Sequence, residues 1–372
     1  MKKSLIVAML STAVALPAHA DIRINGFANL VGGVTGSEES LYGYDDTFNF
    51  SEESLFALQA SGSINERMSA TVQILARGAD DYSPNFEWAY VSYRMTNRAT
   101  FSAGRFRLPL FKYSDSLDIG YSHHWVSVPQ AVYDVPFNNI DGFRLDYSDF
   151  VGDWEIKLGG AVGAFENEVS GGVITGDNTH MVNAELSNDW FSVRAVYGGT
   201  EATFSQAQLD AVVGQIGQAN AGFADFLAID EDTANFVGVG FNIDRFSWFL
   251  SGEYTNIEIA DSYTPTDEAM FVTAGFRAGK WTPSLTYSVF EGDEVKGVEE
   301  LAALGQPLEA ALTPAVLGIN AQFAQNYQVA TATIRYDYAA NFAVKLEFSQ
   351  YTDDLVEARD ASLARFAINY VF

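Results

Sequence analysis

Residues 342–349 read Phe-Ala-Val-Lys-Leu-Glu-Phe-Ser. Phe342, Val344, Leu346 and Phe348 share one parity, and Ala343, Lys345, Glu347 and Ser349 share the other. Successive side chains of an extended segment leave opposite faces, so this is a strand with two unlike surfaces. One surface holds four large apolar groups; the other holds a lysine and a glutamate. A soluble sandwich satisfies that period by packing the apolar face on a core. A membrane barrel satisfies it by turning the apolar face to lipid.

The same alternation recurs outward from this segment. Val237, Val239, Phe241 and Ile243 oppose Phe236, Gly238, Gly240 and Asn242. Phe246, Trp248, Leu250 and Tyr254 oppose Ser247, Ser251, Glu253 and Thr255, while Trp154, Ile156, Leu158 and Val162 oppose Glu155, Lys157 and Gly159. The strands are long, and aromatics stand near their ends at Trp154, Phe191, Phe246, Trp281, Phe342 and Phe372. Headgroup girdles fall there in membrane barrels, which favours lipid over a soluble core.

The connectors complete the fold. Tight turns are predicted at 65–67, 96–98, 150–153, 188–189, 244–245, 279–280 and 339–341, with longer, polar, often acidic connectors between them. Strict alternation of seven turns with eight loops predicts an all-β fold, a sixteen-stranded antiparallel transmembrane β-barrel. Strands of about 11 residues would use about half the chain, which fits. Short turns belong on the periplasmic side of such barrels and long loops outside.

The ends agree. Lys2 and Lys3, the apolar run from Leu5 to Leu16, and Ala18-His19-Ala20 form a cleavable secretion signal over 1–20, leaving one barrel domain at 21–372. The uncharged stretch 310–334 is interrupted by Pro314 and by Asn320, Gln322, Gln325, Asn326 and Gln328, so it lacks the continuous apolarity of a spanning helix. At the other end Phe366, Ile368, Tyr370 and Phe372 alternate up to the last residue. This resembles the signal by which the barrel assembly machinery takes up outer-membrane strands.

Composition removes other classes. The formal charge is −27, so nucleic acid is not a natural partner. Disorder, which pairs high charge with few aromatics, conflicts with an aromatic content of 14%. No cysteine is present, so stability must come from something other than disulfides, and a closed barrel supplies it. The acidic loops would attract cations and could share divalent ions with lipopolysaccharide phosphates.

With this layout the chain resembles the general bacterial porins, a family of trimeric sixteen-stranded pores of Gram-negative outer membranes. The resemblance is sharpest from Phe101-Ser-Ala-Gly-Arg-Phe-Arg-Leu-Pro through Asp118-Ile-Gly-Tyr to Val128-Pro-Gln-Ala-Val-Tyr133, which looks like the strand-five-to-loop-three region of porins from marine gammaproteobacteria. It implies a homotrimer and a third loop, about 108–138, folded into the barrel to narrow it. Outward groups at Phe56, Leu58, Ala60, Ala364 and Phe366 are compatible with trimer packing. The connector 108–138 is rich in apolar groups that open water would not reward, which supports its burial independently. The acidic glycine-rich tip of enterobacterial porins is absent, and Asp115 and Asp118 are the nearest carboxylates.

The expected pore constriction therefore sets Asp115 and Asp118, with Asp134 as a further candidate, against Arg77, Arg105 and Arg144 across a water-filled gap. Alternation also turns Arg194, Arg335 and Arg365 inward. Arg105 follows the family's Gly-Arg, but its parity would also turn Phe101 inward, so a bulge is expected nearby. His123 and His124 lack companion ligands and read as a polar loop pair. Apolar groups at helical spacing in 205–219 and 298–312 predict short helices packing on other loops at the barrel mouth. The expected function is passive diffusion of small hydrophilic solutes and ions, with weak cation preference that fades as salt rises. No cofactor, metal site or enzymatic activity is expected. A substrate-specific channel would differ by saturable binding. A barrel enzyme would differ by turnover, and neither Gly-x-Ser-x-Gly nor His-Glu-x-x-His occurs.

Overall fold

The computed structural model describes residues 22–36, 40–169 and 171–372. The signal segment 1–20 lies outside the described residues. Sixteen antiparallel strands form one closed barrel in which each pairs with its sequence neighbours and the last returns to the first. They are β1 (Ile22–Thr35), β2 (Leu55–Ser63), β3 (Met68–Arg77), β4 (Pro84–Arg94), β5 (Ala99–Arg107), β6 (Asn139–Val151), β7 (Trp154–Val169) and β8 (Gly172–Ser187). The circuit continues with β9 (Phe191–Ser205), β10 (Ile229–Arg245), β11 (Trp248–Ile259), β12 (Asp267–Phe276), β13 (Trp281–Gly292), β14 (Gln325–Ala339), β15 (Phe342–Asp353) and β16 (Ala361–Val371).

The alternation sorts side chains as the sequence predicts. In β15, Leu346 and Phe348 are 55% and 51% exposed on the outside, while Lys345 and Ser349 are buried inside. Val237 and Val239 face out of β10 while Phe236 is buried within. An outer surface of exposed Leu, Val, Phe and Tyr around a closed wall is the surface of a membrane-spanning barrel, because closure satisfies every backbone group and lipid covers the apolar faces. No helix is long and apolar enough to cross a membrane. Aromatics collect at the turn end, where Trp281 packs on Tyr336 at 4.5 Å and Tyr370 stacks on Phe372 at 5.5 Å. Phe372 exchanges both main-chain hydrogen bonds with Gly26, at 2.9 Å each, and so sits at the seam.

Two connector expectations need correction. Long and short do not alternate strictly, because β7 and β8 run sixteen residues each and leave only 170–171 between them. Gly171, in the left-handed region at φ +76°, permits that tight reversal. The turn expected at 244–245 lies at 246–247, since Arg245 still pairs with Trp248. The guanidinium of Arg245 stacks 3.8 Å above the Trp190 ring, which holds the strand extended to that point.

Helix continues past both expected stretches, to Phe226 in the first loop and Phe323 in the second. Besides the single turn α1 (Gln130–Tyr133), the structure has α2 (Ala207–Ala219), α3 (Ala221–Phe226), α4 (Val298–Ala303) and α5 (Leu308–Phe323). Pro314 lies inside α5 and does not end it. The two helical loops share a core of Leu209, Ile216, Phe223, Leu227, Leu301 and Val316, joined by Tyr263 from the connector between β11 and β12. They form a small helical cap at the loop end.

Candidate functional site: the barrel lumen

The connector 108–138 owes its position to its own composition and to the inward faces of the wall. Leu110, Phe111, Trp125, Val132 and Tyr133 pack with Phe165, Met181, Val196, Phe236 and Phe271 from β7 to β12. Burying one such aromatic contributes roughly 1.5–3 kcal/mol. Polar anchors then fix the main chain. Arg194 of β9 donates to the carbonyls of Pro109 and, at 2.8 Å, Leu110. Arg335 of β14 donates to those of Tyr121 and His123 at 2.6 Å each. Lys345 of β15 donates to those of Gly120, at 2.6 Å, and Trp125. The Trp125 indole N–H reaches Thr273 and Thr286 at 3.0 and 2.8 Å. Glu253 accepts from the Lys112 amide and the Tyr133 hydroxyl.

These contacts revise several expected roles. Arg194 and Arg335 hold carbonyls of the connector rather than facing it across a gap. Arg365 joins Glu53, Glu347 and Ser127, tying the connector to the loop after β1. Asp118 is 12% exposed and is clasped by Arg77 at 3.1 Å and Arg107 at 2.7 Å, while Glu87 pairs with both arginines. Burial alone would raise the Asp118 carboxyl, but Arg107 and Arg77 hold it below its ordinary value. Asp118 and Arg77 are thus an anchor in direct contact, not opposite banks of a channel.

Arg105 does not join them. It points outward and pairs with Asp141 at 2.7 Å, and Phe101 faces outward too, stacked on Phe143 at 5.8 Å. The two share one parity, and β5 pairs with β6 in unbroken register from Ala99 to Arg107, so Arg105 follows Phe101 outward; at Gly104, with φ +131°, a Cβ would stand 2.3 Å from the Ala89 carbonyl. At the end of the strand Phe106 and Arg107 are both buried, so Arg107 takes the place expected for Arg105. The bulge expected near Arg105 is absent from the pairing of β5 with its neighbours, and no sequence signal marks Arg107 as the inward arginine.

Asp115 and Arg144 remain as an exposed pair. Asp115 is 71% exposed and lies 3.7 Å from Arg144, which also holds Asp146 at 2.9 Å. They line two polar cavities of about 410 and 620 Å³ beside the connector, which share Thr100, Asp115, Arg144 and Asp146. The larger also meets Arg98, Lys112, Lys157, Glu185 and Arg194, so bases outnumber acids along it. Asp134 lies elsewhere, on a cavity at the loop end.

Neither histidine is a solvated loop group. His123 is buried and shares a 2.7 Å hydrogen bond with the Ser116 carbonyl. His124 stacks on Phe249 at 4.0 Å. Burial first, then Lys345, lowers His123 to about 4; burial and Arg335 lower His124 to about 3. Among the described residues no group of three or more metal-ligating side chains occurs.

At the seam, Phe366, Ile368, Tyr370 and Phe372 share the outer face of the last strand, and Phe372 stacks on Phe56 at 6.1 Å.

Solved structures share this architecture. The outer membrane channel DcaP of Acinetobacter baumannii superposes with a TM-score of 0.60 at 11% identity, covering 96% of this chain and 99% of that one. The barrel is the same. Salmonella typhi OmpF, solved with daunomycin, gives 0.59 at 14% identity over 94% and 97%, and an anion-selective porin from Comamonas acidovorans gives 0.57 at 11% over 95% and 100%. No family model and no curated protein sequence matches the chain.

Proposed function

We propose that this chain is an outer-membrane porin of the general trimeric family, of the marine gammaproteobacterial type, and forms a passive channel for small hydrophilic solutes and ions. The observation that carries the reading is the pair of polar cavities beside the 108–138 connector, inside a barrel whose exterior is apolar. The connector narrows the lumen by filling the side toward β9–β16, and solutes pass along β4–β9, by Asp115 and Arg144. The chain is exported through its signal segment, inserted by the barrel assembly machinery, and is not an enzyme. Its acidic loops meet lipopolysaccharide through divalent cations.

A trimer is supported by the Arg105–Asp141 pair, which faces outward with side chains 43% and 59% exposed. Lipid solvates such a pair poorly, and a second copy would cover it. The excess of bases along the passage favours anions, whereas the acidic rim concentrates cations within about 10 Å at 0.1 M salt. Weak cation preference at low salt should therefore give way to anion preference at high salt.

Planar-bilayer recording tests the reading. Purified protein should insert in steps of three equal conductances, and deleting part of 108–138 in a folded barrel should raise each step. An unchanged step would put the constriction elsewhere; no conductance at all would end the pore reading. Turnover of lipid or peptide by the purified protein would overturn the non-catalytic assignment.

A further inference from the structure

At the loop end a separate cavity of about 610 Å³ opens between the connector, the upper ends of β8–β12 and helix α5. Its character differs from that of the passage. Ile174, Phe204, Ile229, Ile257, Ile259 and Phe323 present apolar surface to it. Water gains nothing from such a wall, and the volume is that of a small-molecule site. Two carboxylates, Asp134 and Asp267, line the same space, and no lysine, arginine or histidine does. Buried lumen carboxylates are satisfied by the protein: Glu87, Asp118 and Glu347 by arginines, Glu253 by the Lys112 amide and Tyr133. Among the described residues the side-chain carboxylates of Asp134 and Asp267 have no hydrogen-bond or ion-pair partner. Lys296 is the basic group nearest in influence to Asp267, and its ammonium lies 3.9 Å from Glu294.

Two unpartnered negative charges beside a greasy wall define a ligand with a positive end and an apolar body. We propose that this vestibule binds amphipathic organic cations, in which a protonated amine is joined to an aromatic ring or short alkyl body. A bare metal ion would leave the apolar wall uncovered, and a neutral apolar solute would leave both carboxylates unpaired. The ligand would sit between the mouth and the Asp115–Arg144 pair. Only the consequence for current rests on the pore reading; the binding does not.

Calorimetry on the full chain in detergent tests the binding with three probes: tryptamine, indole-3-propionate and ethanolamine. Tryptamine should bind saturably. Indole-3-propionate lacks the positive charge and ethanolamine lacks the ring, and each should bind at least about tenfold more weakly, the loss expected for one good contact. Asp134→Asn with Asp267→Asn should weaken tryptamine about tenfold, and Ile257→Ser should also weaken it. The unpaired carboxylates support no fold contact, so the double variant should migrate as a folded barrel. Equal binding of the three probes, or unchanged tryptamine affinity in the folded double variant, overturns the proposal. In bilayers tryptamine added on the loop side should interrupt the current. Absent conductance with intact tryptamine binding would overturn the pore alone, and normal conductance without binding would overturn the site alone.

Discussion

Asp115 and Asp118 stand three residues apart and meet opposite fates. Asp118 is enclosed by two arginines, so Asp118→Asn leaves Arg77 and Arg107 to share Glu87 alone. Losing charged hydrogen bonds of this kind costs about 1.5–3 kcal/mol, and denaturation should show it as a lower midpoint with noisier open current. Asp115→Asn removes an exposed charge, so stability should change by less than about 0.5 kcal/mol while reversal potentials shift toward anions. Unequal effects on stability are the test; equal ones would mean that Asp118 is not an anchor. His123 makes a pH prediction whose sign follows from its low value. The docked connector holds the ring neutral down to about 4, whereas a free histidine takes a proton near 6.5. The docked state therefore binds fewer protons between those values and should lose stability as pH falls from about 6.5 to 4, then level off. Thermal midpoints of wild type and His123→Asn compared across that window check this, and the variant should flatten the profile. The sequence marks these residues as inward-facing or as belonging to the loop. It does not reveal their partners, because Arg194, Arg335 and Lys345 bind main-chain carbonyls, and any sequence offers those.

Strands differ in how openly they declare themselves. β15 is legible residue by residue over 342–349 because each outward position there is large and apolar and the inward ones are small or charged. β5 is not, because Phe106 and Arg107 are both buried at its end, immediately before the connector. Gly104→Val should disturb this segment more than Gly142→Ala disturbs β6, since the first adds backbone strain of about 1–3 kcal/mol to a close contact. The yield of folded barrel after refolding would measure the difference. The β7–β8 hairpin does not declare itself in sequence, because its polar upper half resembles a loop in composition while pairing as strands. The helical loops show in the spacing of their apolar groups, but their common core joins segments about 100 residues apart and leaves no local trace. For the closing strand, loss of Phe372 removes two hydrogen bonds to Gly26 and the stack on Phe56. Outer-membrane levels should fall while periplasmic degradation products rise; unchanged membrane levels would refute an assembly role.

For the whole molecule, the trimer prediction is direct. Unboiled protein should migrate as an assembly that heating converts to monomer, and native mass in mild detergent should be three times that of the chain. A monomer under every gentle condition refutes it. The connector has a mechanical meaning as well. It reaches Asn29 of β1, Arg77 of β3, Arg194 of β9, Thr286 of β13 and Lys345 of β15. A hoop one sheet thick is stiff along its hydrogen bonds and soft to being squeezed oval. A chain tied to both banks acts as a cross-brace: squeezing along its length loads the apolar packing, and stretching loads the arginine and lysine ties. Lateral pressure in the bilayer would therefore change the open side of the lumen less than it would in an empty cylinder.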